Sequence, residues 1–131
     1  MREILFRGKR VDNNEWVYGF LSKSRDSNHF LSLCIDHEEN GVMLSSIVEP
    51  KTIGQYTGLT DKNGVKIFEG DIVQIVNTGD EICLIEWDDD DAAFEVANND
   101  VTQSFLVNLW GRDVEVIGNI HDNPELAEGR L

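Results

Sequence analysis

Short apolar runs, broken by glycine, asparagine and aspartate at intervals of roughly ten residues, are what most limits how this chain can fold. Only two prolines interrupt it, and no long stretch carries helical periodicity, so the spacing predicts a mainly β protein. The runs read as strands are Ile4 to Arg10, Trp16 to Leu21, Phe30 to Ile35, Val42 to Val48, Thr52 to Thr57, Asp71 to Val76, Ile82 to Trp87, Ala93 to Ala97 and Val114 to Asn119. Between the first two, Asp12-Asn13-Asn14 tolerates the left-handed backbone of a hairpin turn. Asp71 to Val76 and Ile82 to Trp87 are apolar on nearly both faces and are expected at the centre of the core.

The stretch Thr57 to Val73, TGLTDKNGVKIFEGDIV, holds three glycines and no residue placed like a nucleophile or a metal ligand. Asn63-Gly64 between two runs predicts a type I′ turn, because both residues accept positive φ. Gly70-Asp71 predicts a sharp bend, with glycine relieving the backbone and Asp71 bonding nearby amides. The stretch therefore reads as scaffold. Asp100 to Trp110 fits strand and helix templates alike; Asp100 with Gln103 as a capping box, and Gly111 as a stop, favour a short helix. Asn123-Pro124-Glu125 predicts one further helical turn. Pro50 marks the one plausible lobe boundary in an otherwise single domain of 1–131, separating N-terminal strands in 1–49 from a remainder, 50–131, with the rhythm of a small SH3-like barrel over about residues 51–126.

Charge narrows the function classes. The 131 residues include 25 acidic and 11 basic side chains, a net −14, so direct nucleic-acid binding is disfavoured. No window of about 18 uncharged apolar residues exists to span a membrane, and Met1-Arg2-Glu3-Ile4 does not read as the start of a signal peptide, which leads us to expect a cytoplasmic protein. Cys34 and Cys83 lie in separate apolar runs and read as reduced, buried thiols.

Three blocks, Arg2 to Arg7 with Tyr18-Gly19, then Ile53 to Gly64 with Phe68 to Val73, and finally Val116 to Leu126, carry a resemblance. With them the chain resembles the YopX proteins of bacteriophages, prophages and other mobile elements of mostly Gram-positive bacteria. The resemblance implies a mainly β fold with an SH3-like barrel, acting inside a bacterial host cell. It carries no catalytic residues, cofactor or metal ligands, and none are assigned. The acid-rich Asp88 to Asp91 and the Ser22 to Asn28 connection depart from the family pattern.

Each remaining chemical lead has a plainer rival. Asp88, Asp89, Asp90 and Asp91, with Glu86 and Glu95 near, could offer oxygen ligands to a divalent cation, or act as an acidic protein-binding loop; a solvated hairpin loop is the plainer reading. Asp61-Lys62-Asn63-Gly64 lacks the later ligands of a calcium loop. His37-Glu38-Glu39-Asn40-Gly41 has glycine where a zinc protease needs its second histidine. Cys34, His37, Cys83 and His121 would have to converge from distant segments to bind zinc, and His29 reads as exposed. Trp16, Tyr18, Tyr56, Phe68, Trp87 and Trp110 could line a peptide groove but are expected mostly in the core. Together these leads favour a noncatalytic, acidic β-rich module that binds protein, either a host factor or copies of itself as a homo-oligomer. The alternatives are an acidic DNA mimic or regulator that binds a basic host protein, and a metal-dependent enzyme using Asp88 to Asp91.

Overall fold

A computed structural model describes residues 3–76, 81–97 and 114–127, together with the backbone of 102–104. It is mainly β, with two antiparallel sheets and very little helix. The chain divides into two compact units, Met1–Tyr56 and Thr57–Leu131.

In the first unit, β1 (Phe6–Lys9), β2 (Trp16–Arg25), β3 (Leu31–Glu39) and β4 (Val42–Ile47) form successive antiparallel pairs. Pro50 follows β4 and opens a single 3-10 turn, Pro50–Thr52, where its missing N–H leaves no pairing unmet. The chain then enters β5 (Gly54–Thr60), whose first residues pair with β1. The end of β4 returns to the end of β1: Val11 N–H donates to the Ile47 carbonyl at 3.1 Å, and Arg10 bridges Val48. This wraps the strands around Val17, Ile35 and Val48, with Phe6 and Ile53 packed against them.

The second unit continues through β6 (Lys66–Phe68), β7 (Asp71–Ile75), β8 (Glu81–Asp88), β9 (Ala93–Ala97), β10 (Thr102–Ser104) and β11 (Val114–Asn119). It closes on a four-residue helix, α1 (Pro124–Ala127). The sheet order is β10-β9-β8-β7-β11, an arrangement compatible with the SH3-like reading of 51–126. As the apolar runs require, β7 and β8 lie in its interior: Ile72, Val73 and Ile85 are wholly buried, and Cys83 packs with Val73 and Ile85 in one cluster that includes Ile67, Val96 and Val114. Burial of this cluster is the main favourable term holding the unit together.

Two local expectations need correction. The short helix expected over 100–110 is a strand at Thr102–Ser104, and its other positions lie outside the described residues. Asn63-Gly64 is a tight turn, but not type I′: Gly64 has φ +81° while Asn63 is not left-handed. Gly64 N–H donates to the Asp61 carbonyl at 3.0 Å and Asp61 N–H to the Val65 carbonyl at 2.8 Å, which defines a three-residue hairpin loop with one left-handed position. The two-residue turn with both central residues left-handed occurs instead at Asn40-Gly41, φ 53° and 81°, where Glu39 pairs directly with Val42.

Candidate functional site

Asp61 decides what the glycine-rich stretch is for. Its Oδ1 accepts the amides of Asn63 at 2.8 Å and Val65 at 2.9 Å, and its Oδ2 accepts the amide of Val116 in β11 at 3.1 Å. Lys62 N–H donates to the Val114 carbonyl at 2.9 Å, so the loop is stitched to β11 from both sides. Burial works against the charged Asp61 carboxylate, but the amides of Val116, Val65 and Asn63 outweigh it and hold the pKa below the ordinary carboxylate value. The next turn repeats the device, with buried Asp71 accepting the Phe68 amide at 2.7 Å and Gly70 at φ +93° donating to the Ile85 carbonyl. Both carboxylates are thus engaged by backbone amides of the turns they sit in, which is the work of scaffold.

Asp88, Asp89, Asp90 and Asp91 lie at the β8–β9 hairpin. Asp88 ends β8 opposite Ala93, while Asp89, Asp90 and Asp91 are exposed on the turn. The Asp90 amide donates to Asp88 Oδ1 at 2.9 Å and is the main reason the Asp88 pKa falls below normal. Two strand positions in, Glu86 stands directly across from Glu95. Loss of hydration, then the Asp88 charge and the bond to Glu86, push Glu95 up to about 7. Glu95 therefore titrates near neutral pH. Among the described residues no three His, Cys, Asp or Glu side chains are grouped to hold a metal ion.

The four residues weighed as zinc ligands are spread over the chain, Cys34 and His37 in β3, Cys83 in β8 and His121 after β11. Cys34 is buried in β3 with its thiol 4.0 Å from the Ser32 carbonyl, and His37 Nε2 shares a 2.8 Å hydrogen bond with Ser46 Oγ. Cys83 is in the core of the second unit, and the His121 amide donates to Asn119 Oδ1. His29 is exposed, with φ 66°.

The aromatic residues split in a way that hydropathy alone did not indicate. Tyr56 and Phe68 are buried as expected, and Trp110 lies outside the described residues. Tyr18 and Trp87, however, are exposed, and Trp16 is half-buried. Trp16, Tyr18 and Phe20 alternate along β2 and so share one face of the sheet, where Phe20 is 62% exposed. The register places Arg7 beside Tyr18 and Lys9 beside Trp16 on that face. The Arg7 guanidinium stacks 4.7 Å from the Trp16 ring centroid and Lys9 Nζ lies 5.7 Å from it. On the other side of Phe20 the same face carries Asp36, whose Oδ1 accepts the hydroxyls of Ser22 at 2.8 Å and Ser45 at 2.7 Å. Those two hydroxyls, Ser45 first, lower the Asp36 pKa. Met43 and Ile47 of β4 continue the face and are also exposed.

Eleven of the thirteen exposed large apolar side chains among the described residues belong to the first unit, so the exposure is concentrated rather than scattered. Phe20, Met43 and Ile47 were not singled out in the sequence. A signal was present: Trp16-Val17-Tyr18-Gly19-Phe20-Leu21 does not alternate apolar with polar, as a strand with one solvated face should.

Comparison with known proteins places this architecture. A family model for YopX protein matches residues 5–128. No curated protein matches significantly. Among solved structures, protein EF1440 from Enterococcus faecalis superposes with a TM-score of 0.60 at 26% identity, covering 98% of this chain and 100% of that one. Protein yopX from Bacillus subtilis superposes with a TM-score of 0.58 at 20% identity, covering 98% of each chain, a likeness of fold. Matched over nearly its whole length, the chain belongs to the YopX protein family.

Proposed function

We propose that this chain is a noncatalytic, phage- or prophage-encoded module of the bacterial cytoplasm that works by binding another protein through the open face of β2, β3 and β4. The observation that carries this reading is the exposed row Tyr18 and Phe20, continued by Met43 and Ile47, on a chain whose glycine-rich stretch is taken up by scaffold. Covering such a face releases its hydration water, and aromatic residues and methionine are enriched at interface centres. The Asp88 to Asp91 turn supplies a second, acidic feature that steers a basic partner rather than anchoring it. A phosphate mimic needs acids in a continuous stripe, whereas this run occupies one hairpin turn.

The test is tandem affinity purification from host cells, comparing the natural chain with Phe20→Ser and with Asp89→Asn/Asp90→Asn. A partner that binds stoichiometrically, is lost with Phe20→Ser and is retained more weakly with the aspartate pair supports the reading. A partner set unaffected by Phe20→Ser refutes it.

A further inference from the structure

Strand β4 is the outer strand of its sheet, with β3 as its hydrogen-bonded neighbour. Val48 N–H donates to the Leu33 carbonyl, so along the antiparallel ladder Ser46, Leu44 and Val42 turn their backbone groups toward β3. Met43, Ser45 and Ile47 turn theirs outward. The Ile47 carbonyl confirms the parity by accepting Val11 N–H, and pairing with the end of β1 stops there. Met43 and Ser45 thus present backbone donors and acceptors along an exposed edge, beside Val42 at 57% and Met43 at 61% exposure. Natural edges are blunted by lysine, proline, inward charge or a bulge. Val42-Met43-Leu44-Ser45-Ser46-Ile47 has none of the first three, while β1, β2 and β3 all carry charges.

We infer that the β4 edge pairs with β4 of a second copy of this chain, antiparallel about a twofold axis at Leu44. Charge selects this occupant. A chain of net −14 repels its own copy wherever acids face one another, and β4 is the strand of the ribbon where none do. A basic partner would be drawn to the Asp88 to Asp91 turn, not to an uncharged edge. The twofold sets Met43 against Ser45 of the second copy, and the reverse, so that outward backbone groups meet outward groups, with Leu44 against Leu44 of the second copy. Ile47 and Val11 bound the strip at one end and the Asn40-Gly41 turn at the other. A strip this short falls below the roughly 800 Å² per partner of a standard stable interface, so the dimer is reversible. The inference rests on the reading of the first unit as an interaction module, but it uses the strand edge and not the Phe20 face.

Sedimentation velocity of the full chain over a wide concentration range, at low and high salt, tests it. The expected result is a monomer–dimer equilibrium that strengthens with salt, because salt screens only the net repulsion. Leu44→Asp alone and Leu44→Lys alone should each be monomeric by placing like charges on the axis, and mixing the two should restore the dimer. Phe20→Ser should leave it intact, which separates this outcome from loss of the partner-binding face. Ser45→Pro, which removes an outward N–H, is the second route to a monomer if a Leu44 variant does not fold. The inference is overturned by a monomer at every concentration, by a dimer that weakens with salt, by a dimer insensitive to Leu44 and Ser45 changes, or by folded Asp and Lys variants that fail to recombine.

Discussion

Two hairpins of this molecule are built on the same dipeptide and end as different structures. In the first unit, Asn40-Gly41 forms a two-residue turn with both residues left-handed, and its neighbours Glu38, Glu39 and Val42 stay exposed. In the second, Asn63-Gly64 is left-handed only at glycine, because Asp61 reaches over the loop, gathers two of its amides and binds a third on β11. The same local preference is followed freely at one site and overruled at the other by a carboxylate whose partner is 55 residues away. The difference extends to the units that carry them. Among the described residues the second unit exposes two large apolar side chains, Val65 and Trp87, while the first leaves an apolar ribbon in water.

The most severe way to break this contrast is Asp61→Ala. Three backbone amides lose a charged acceptor, and at least the partly buried Val116 amide has no ready substitute, so stability should fall by about 3 kcal/mol in urea denaturation. Glu39→Ala, one residue before the other Asn-Gly, should change it by less than about 0.5 kcal/mol. Because the folded pKa of Asp61 is depressed, its stabilisation is present above the unfolded carboxylate pKa and is lost as pH falls through the folded one. The gap between natural chain and Asp61→Ala should therefore narrow in acid; a gap independent of pH would place the effect elsewhere.

The glycines sharpen the comparison at a smaller scale. Gly41 and Gly64 share φ +81°, and a Cβ at either would meet nothing within 4 Å, so the penalty is backbone strain alone. Gly41→Val and Gly64→Val should each lose about 1 kcal/mol, or somewhat more for a β-branched side chain. An unchanged melt at Gly64 would remove the left-handed assignment there.

Glu95 gives a weaker effect of defined sign. Its pKa is raised, so its contribution to stability is fully present below the unfolded value near 4.5 and is lost as pH rises through about 7. Glu95→Gln should thus be more stable than the natural chain above about pH 8, with the advantage vanishing as the pH falls below 4.5. The opposite order at high pH would show that Glu95 is held by a cation. Smallest of all, Asp89→Asn/Asp90→Asn should leave the melting temperature unchanged or slightly raised, with no Ca²⁺ or Mg²⁺ dependence at matched ionic strength. A saturable shift that needs these aspartates would favour the metal-dependent alternative.

Nine strands were legible because apolar runs between turn residues carry a local signal, and β9 and β11 begin and end where that signal does. β6 was missed because Lys66-Ile67-Phe68 is too short to show alternation between Gly64 and Gly70, and β10 because Thr102-Gln103-Ser104 has no apolar residue. β2 and β3 extend to Arg25 and Glu39, beyond their apolar runs, since paired but solvated residues leave no hydropathy trace. The family was legible from three blocks, most specifically Ile53 to Gly64 with Phe68 to Val73, where turns and the amide-bonding Asp61 and Asp71 lie. The candidate surface was not. When both parities of a strand are apolar, as in Trp16 to Leu21, the pattern shows that two faces are greasy but not which is covered.

Urea denaturation of the triple variant Phe20→Ser/Met43→Ser/Ile47→Ser tests most directly whether that ribbon is surface rather than core. The account expects stability within about 0.5 kcal/mol of the natural chain, because water already reaches all three side chains. A loss above about 2 kcal/mol would show that they fill a core, and would contradict the assignment of this face to binding.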